Sequence, residues 1–300
     1  MTIHQEPWPQ GTPSWVDVMV DDADAARAFY TQLFGWTAAP GPPEYGGYTM
    51  CLLEGSPVAG LSPKPESWPG PNVWSTYLAV DDADAAMARA TEAGGTVVLP
   101  PMSVGSMGRM AFGTDPSGAS YGVWQAMDHT GVHVANEPGS LVWNELITRD
   151  YAAAQAFYAA VFGYGYEEIG DGENFTYSTI ARPDGHVVAG IGALDPNMPA
   201  EVPSRWVTYF GVADTDAVAA RAQELGATLD MAPFDSQFGR IAVIRAPQGE
   251  TFSVISVEQG QEAQAEVSEP ETREAGAEAT PARPEADPTR PEADPAGAGV

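Results

Sequence analysis

Basic residues are scarce in this chain. It has a single lysine, Lys64, and a formal net charge of −28 over 300 residues. Such a surface repels phosphate backbones and anionic headgroups, which excludes nucleic acid and membrane as partners. The one cysteine, Cys51, cannot form an intramolecular disulfide. Its place in the apolar run from Met50 to Leu53 predicts a buried core thiol. No run approaches the ~18 apolar residues of a membrane span, and the opening MTIHQEPWPQGTP lacks the basic and apolar regions of an export signal. Cytoplasmic residence follows as the default. Histidine is also rare: His4 falls in the leader, His129 and His133 in a linker and His186 in the turn PDGH. His129 and His133 have i,i+4 spacing, but with Gly131 and Pro138 nearby no helix puts them on one face, so both are expected to be solvated. No Ser-His-Asp, Cys-His or phosphate-loop pattern is present.

Aromatics are abundant. Eight Trp, 11 Tyr and 10 Phe within 44% hydrophobic residues can fill two cores. Repetition supports that count. Val20 to Ala26 reads VDDADAA, Val80 to Ala86 repeats it, and looser copies begin at Thr148 and Val212. An outer offset of 128 residues aligns windows 15–36 and 143–164 with nine identities, among them Trp15 with Trp143 and Phe29-Tyr30 with Phe157-Tyr158. A duplicated duplication implies four similar units.

Each unit reads as strand, helix, then further strands. Trp15 to Val20 is apolar and β-prone, Asp22 offers an N-cap, and Ala25 to Phe34 has helical spacing until Gly35 stops it. Asp150 matches Asp22. Short strands follow at Tyr48 to Leu53 and Val58 to Leu61, and at Tyr177 to Ala181 and Val188 to Ile191. The second unit repeats the order with Val73 to Val80, Asp82 to Ala93, and strands around Met110 to Phe112 and Ala119 to Trp124. The fold class is α+β, built from four βαβββ units. The boundaries expected are a flexible leader at 1–12, a first domain at 13–127, a linker at 128–139, a second domain at 140–258 and a disordered tail at 259–300. The tail is rich in Pro, Ala and Glu, and its ten acids and three arginines leave −21 on the folded part.

The phrases DxxxAxxFYxxxFGW/Y (Asp22 to Trp36, Asp150 to Tyr164), VAGL and VAGI (Val58 to Leu61, Val188 to Ile191), and GRMAFGTDPSGASYGVWQ (Gly108 to Gln125) with its twin GRIAVIRAPQGETFSVIS (Gly239 to Ser256) carry a resemblance. They resemble the vicinal oxygen chelate superfamily of glyoxalases, bleomycin-binding proteins and extradiol dioxygenases, and within it the tandem glyoxalase-like proteins of actinobacteria. The resemblance implies two tandem domains. In each, a pair of βαβββ units would form an open eight-stranded cup with the chemistry on its concave face.

Metal-dependent members of that superfamily place His, Glu or Gln at one position on the first and last strand of each unit. Aligned here, those positions fall on Trp15, Gly60, Ser75 and Gly122, then on Trp143, Gly190, Val207 and Ser253. Indole and glycine offer a cation no lone pair, so no metal ligand and no cofactor are expected.

Strand alternation then fixes what lines the cups. Steps of two from Trp15 and Trp143 bring Asp17 and Glu145 to the inward face. An acid in an apolar cup has its charged form disfavoured, which suits a general acid or base; equally, each could accept hydrogen bonds from a neighbouring strand or an arginine. Tyr77 and Tyr209 are expected beside them as catalytic partners. Trp15, Trp143, Tyr48, Tyr177 and Trp124 are expected to wall an aromatic pocket. Arg109 and Arg240 follow the loops Met102 to Met107 and Phe234 to Phe238. They could meet a ligand carboxylate or pin those loops, and the loops, with Met102 and Phe234, could form a lid.

Three readings follow. One is a metal-independent protein, monomeric or homodimeric, that binds a small aromatic or hydrophobic metabolite for sequestration or resistance. Another is a metal-free acid/base isomerase, cyclase or lyase. A metal-dependent glyoxalase or dioxygenase conflicts with the emptied ligand positions.

Overall fold

The computed structural model describes residues 3–42, 45–65, 67–68, 70–170 and 175–256. The acidic tail expected from 259 lies outside the described residues. The first half runs β1 (Pro13–Val20), α1 (Ala23–Phe34), β2 (Thr37–Pro40), β3 (Thr49–Leu53), β4 (Ser56–Pro63), then β5 (Val73–Ala79), α2 (Ala83–Glu92), β6 (Thr96–Val104), β7 (Gly108–Thr114) and β8 (Ser120–Ala126). The second half repeats it with β9 (Leu141–Thr148), α3 (Tyr151–Phe162), β10 (Gly165–Glu168), β11 (Tyr177–Ala181), β12 (Val187–Ala193), β13 (Arg205–Gly211), α4 (Thr215–Glu224), β14 (Thr228–Ser236), β15 (Gly239–Arg245) and β16 (Thr251–Ser256). Four βαβββ units are therefore present, in an α+β arrangement.

The repeated aspartate starts every helix. The side chains of Asp22, Asp82, Asp150 and Asp214 accept from the backbone N–H of Ala25, Ala85, Ala153 and Ala217 at 2.9–3.0 Å. Gly35 and Gly163 end α1 and α3 in the left-handed region, at φ 72° and 75°.

Units pair in chain order. β1 runs antiparallel to β5 and parallel to β4, which joins the first two units in an open sheet ordered β2-β3-β4-β1-β5-β8-β7-β6. The second sheet, β10-β11-β12-β9-β13-β16-β15-β14, copies it strand for strand. Neither closes into a barrel.

Alternation along β1 sends Val16, Val18 and Val20 into the core on the helix side and Trp15, Asp17 and Met19 to the concave side. The two halves meet across their helix sides. Thr76 donates to Asn144 at 2.9 Å at the centre of that contact, and Tyr30 donates to Glu250 at 2.9 Å. Phe34 of α1 packs on Phe210 of β13 with ring centres 5.1 Å apart, while Tyr121 of β8 packs on Phe157 of α3 at 5.9 Å. One apolar cluster thus joins the first unit to the fourth, and the other joins the second to the third.

The leader differs from expectation. Over its described residues it is tied down: His4 N–H donates to the His133 carbonyl at 2.8 Å, Trp8 Nε1 to Val132 at 3.0 Å, and Gly11 N–H to Ala79 at 2.8 Å. One imidazole and one indole, His4 and Trp8, pack on each other at 4.0 Å where the segment is tied to the linker. Cys51 is buried as expected, and burial pushes its thiol up to about 12.

Candidate functional site

In each sheet the first strand carries a carboxylate at the centre of the concave face. Asp17 lies opposite Gly60 of β4 and Ser75 of β5; Glu145 lies opposite Gly190 of β12 and Val207 of β13. Two phenols converge on each acid. Tyr77 and Tyr48 donate to Asp17 Oδ2 at 2.9 and 3.2 Å, and Trp15 Nε1 donates to the Tyr48 hydroxyl at 2.7 Å. In the second half Tyr209 and Tyr177 donate to Glu145 at 2.6 and 3.0 Å, and Trp143 Nε1 donates to Tyr177 at 3.0 Å. The indole-phenol-carboxylate chain recurs in both halves, with both phenols on one oxygen of Asp17 and one phenol on each oxygen of Glu145. Of the expected residues, Asp17, Tyr77, Tyr48 and Trp15 come together in the first cup and Glu145, Tyr209, Tyr177 and Trp143 in the second.

Burial sets the charge state. Asp17 is 7% exposed, and desolvation pushes its carboxyl up to about 6 against the opposing pull of the Tyr77 and Tyr48 hydroxyls. Glu145 is raised by the same cause, opposed by Tyr209, Tyr177 and the charge of Arg205. Burial also raises all four phenols above the ordinary tyrosine range, so they stay protonated and act as donors.

Other expected residues are placed differently. Arg109 and Arg240 turn away from the cups. Arg109 pairs with Asp84 of α2 at 2.6 Å, and Arg240 pairs with Asp216 of α4 and with Asp235 at 2.8 Å. Each stands one residue out of phase with the inward-facing Met110 or Ile241, so alternation sends it to the helix side, where it pairs with an acid of the neighbouring helix. Met102 and Phe234 lie within β6 and β14, opposite Met110 and Ile241, and so form side wall instead of a mobile lid. Met102 is 45% exposed at that rim.

Trp124 lines the first cup together with a residue the sequence reading left in solvent. The His129 ring packs edge-on to Trp15 at 4.3 Å and lies 5.4 Å from Trp124, whose Nε1 donates to the His129 carbonyl at 2.8 Å. Burial lowers the imidazole to about 4, so it sits there neutral. The linker folds over the first cup because its backbone is tied to β1 through Val132 N–H and Ser14 carbonyl, at 2.8 Å. A cavity of about 240 Å³ lies between leader and β8, bordered by Trp8, Ser14, Val80 and Trp124; neither Asp17 nor its tyrosines line it.

Sequence reasoning missed Arg205, on the concave side two residues before Val207, and Phe112, whose ring meets Tyr77 edge to face at 5.1 Å. Further steps of two along β13 and β7 would have found both.

Paired βαβββ units that form an open mixed sheet, with a carboxylate on its concave face, define a glyoxalase-type domain, here present twice. The chain belongs to the Glyoxalase/Bleomycin resistance protein/Dioxygenase superfamily: residues 12–123 match that superfamily and residues 141–255 match the Glyoxalase-like domain. A protein named as a glyoxylase, CFP32 of Mycobacterium tuberculosis (strain CDC 1551 / Oshkosh), is 44% identical over 253 residues, 82% of this chain and 95% of its own length. The anthracycline biosynthesis protein DnrV of Streptomyces peucetius is 36% identical over 268 residues, 83% of this chain and 94% of its own. Among solved structures, the Mn(II)-bound glyoxalase from Novosphingobium aromaticivorans superposes with a TM-score of 0.57 at 18% identity, covering 83% of each chain. The 2,3-dioxygenase LapB from Pseudomonas sp. KL28 gives 0.59 at 14% identity, covering 83% of this chain and 93% of that one.

The Mn(II) bound in the Novosphingobium glyoxalase raises the question of fit, and the donor set here does not fit a metal. Register puts Asp17, not Trp15, in one layer with Gly60, and Tyr77 in one layer with Gly122; the expected positions on the first strands are shifted by two. That layer still offers one carboxylate per cup, to which two protonated phenols are hydrogen-bonded. Among the described residues no three His, Cys, Asp or Glu side chains come together.

Proposed function

We propose that this protein binds a small aromatic or hydrophobic metabolite in an aromatic-lined cup without a metal ion, as a sequestration or resistance protein does. The duplicated indole-phenol-carboxylate chain carries this reading. A tyrosine hydroxyl stands against Gly60 and Gly190 of the expected ligand set and the Tyr77 ring against Gly122, and the lining offers flat apolar surface with a few fixed polar atoms, which suits a planar organic molecule. The relative named for anthracycline biosynthesis supports a flat polycyclic ligand class. We further propose a cytoplasmic monomer or homodimer with no nucleic-acid partner. The net charge of −28 supports the last point, and among the described residues no helix is long and apolar enough to cross a membrane.

A second reading has one observation in its favour. Burial holds Asp17 near 6, where a carboxyl group divides between its acid and base forms close to neutral pH. A ligand in contact with it could exchange a proton there, with Tyr77 and Tyr48 steadying the carboxylate between steps. That chemistry is an isomerisation, cyclisation or lyase reaction at a carbon made acidic by an adjacent carbonyl.

Tryptophan-fluorescence titration with a panel of aromatic metabolites tests both. Saturable quenching that survives Asp17→Asn and Glu145→Gln, with no turnover by native protein, supports the binder. Turnover that either substitution abolishes supports the enzyme. Absence of saturable binding by any flat aromatic rejects the first reading.

A further inference from the structure

The two cups share a floor but not a wall. In the first, Trp15, Asp17, Tyr77 and Trp124 are 2%, 7%, 5% and 6% exposed beneath the His129 ring. In the second, Trp143, Glu145 and Tyr209 are each half-buried. Side-chain size explains part of the difference. Across the sheet from Tyr77 and Gly122 stands Phe112, with Trp124 and Met110 as the next inward pair. The corresponding places in the second sheet hold Val243, Ile255 and Ile241. Two indole or phenyl rings are thus replaced by aliphatic branches, and the second cup keeps room that the first has filled.

The mouth of the second cup carries two rings. Phe175 stacks on Tyr177 with centres 5.3 Å apart and planes 11° apart, and Phe238, at the tip of the β14–β15 hairpin, lies 6.1 Å from the same ring. Both are 42% exposed. A cation stands on the inner wall. Arg205 shares the inward face of β13 with Val207 and Tyr209, opposite Ile147, and is half-buried. It forms no ion pair among the described residues; Nη1 reaches only the Pro203 carbonyl, at 3.3 Å. Desolvation lowers its proton affinity; Glu145 and Tyr209 on the cup floor and Asp230 of β14 oppose that, and Arg245 of β15 adds to it. The first cup has Val73 in that place, opposite Met19.

We infer that the second cup is the operative binding site, and that it takes a flat aromatic molecule bearing an anionic oxygen, whose charge Arg205 receives while the rings of Phe175 and Phe238 cover its faces. This deepens the binding function proposed above and rests on it. A half-buried guanidinium that feels Glu145 and Asp230 but is within ion-pair distance of neither is a planar, permanently charged donor able to receive an anionic oxygen in the cup. Two exposed phenyl rings beside a tyrosine give an aromatic guest its stacking surface. The first cup, covered by the His129 ring and narrowed by Trp124 and Phe112, has the same floor with less room above it.

Isothermal titration of the full chain with 2-naphthoate and with its uncharged isostere 2-naphthamide tests the inference. Wild-type protein is expected to prefer the carboxylate by about tenfold or more, as a charge-assisted contact requires. Arg205→Gln is expected to collapse that preference while naphthamide affinity stays the same. Phe238→Ala, an exposed change that folding tolerates, is expected to weaken both probes. Equal affinities in the wild type, or a preference that survives Arg205→Gln, overturns this assignment and leaves metabolite binding standing. If neither probe binds and no uncharged aromatic does, the binding function falls with it.

Discussion

Tyr48 occupies the space that a side chain on Gly60 would need. A Cβ built at Gly60 would lie 1.9 Å from the Tyr48 hydroxyl oxygen, and one at Gly190 would lie 1.8 Å from that of Tyr177. Each glycine therefore admits the phenol that holds the central acid. Gly60→Ala and Gly190→Ala are expected to displace that phenol. The change combines overpacking, about 1–3 kcal/mol, with loss of a hydrogen bond to a buried carboxyl group, about 1.5–3 kcal/mol if ionised. Chemical denaturation should show each variant less stable by about 2 kcal/mol or more, on the same grounds. A stability within error of the wild type would refute the packing role of the two glycines.

The repeat made the four units, their helix caps and the inward acids legible. A side chain at a known step along a strand has a known face, which is why Asp17, Tyr77, Glu145 and Tyr209 were placed by counting. Arg109 and Arg240 show where counting was not carried far enough: the pairing of Met110 with Trp124 and of Ile241 with Ile255 puts both arginines on the helix side. His129 shows a different limit. Its surroundings come from a linker folding back over β1, a long-range contact that no local pattern encodes. The exchange of core residues between halves was hidden for the same reason, since the Phe34 contact with Phe210 joins the first unit to the fourth.

Asp17 and His129 give stability opposite slopes with pH. The Asp17 carboxyl is raised to about 6 in the folded protein, so the native state binds the extra proton, and its contribution is lost as pH rises from the ordinary carboxylate range through about 6. His129 is lowered to about 4, so the unfolded chain binds the extra proton, and its contribution grows as pH rises from about 4 through 6.5. Asp17→Asn removes the first slope alone. Measured against the wild type, that variant should gain about 2 kcal/mol in relative stability between pH 4 and pH 7. A difference that stays flat across this range would show that Asp17 titrates as an ordinary aspartate.

Metal content follows from the donor set. Each cup holds one carboxylate with two phenol donors bound to it, whereas a stoichiometric site needs several free lone pairs. Protein purified without chelator is expected to contain less than about a tenth of an equivalent of Mn, Fe, Ni or Zn, where a true site fills stoichiometrically. Added Mn(II) or Ni(II) should leave the melting temperature unchanged. A full equivalent by elemental analysis, together with a ligand affinity lost to chelator, would reject the metal-free reading.

The two halves should unfold together, because neither owns its core. Phe210 of β13 is fully buried, and its ring meets Phe34, Trp36 and Trp74 of the first half at 5.1, 5.4 and 5.1 Å. Removing it opens a cavity whose walls come from both halves. Phe210→Ala is expected to cost about 3–5 kcal/mol, the usual range for a buried phenylalanine. The loss should appear as a shift of one calorimetric transition, since the first and fourth units share one apolar cluster and the second and third share the other. Unfolding either half exposes the partner's buried rings, so an intermediate with one half intact lacks the burial that stabilises it. Two resolved transitions, with only the upper or the lower one moved by Phe210→Ala, would mean that each cup is stable by itself and that the contact between them is incidental.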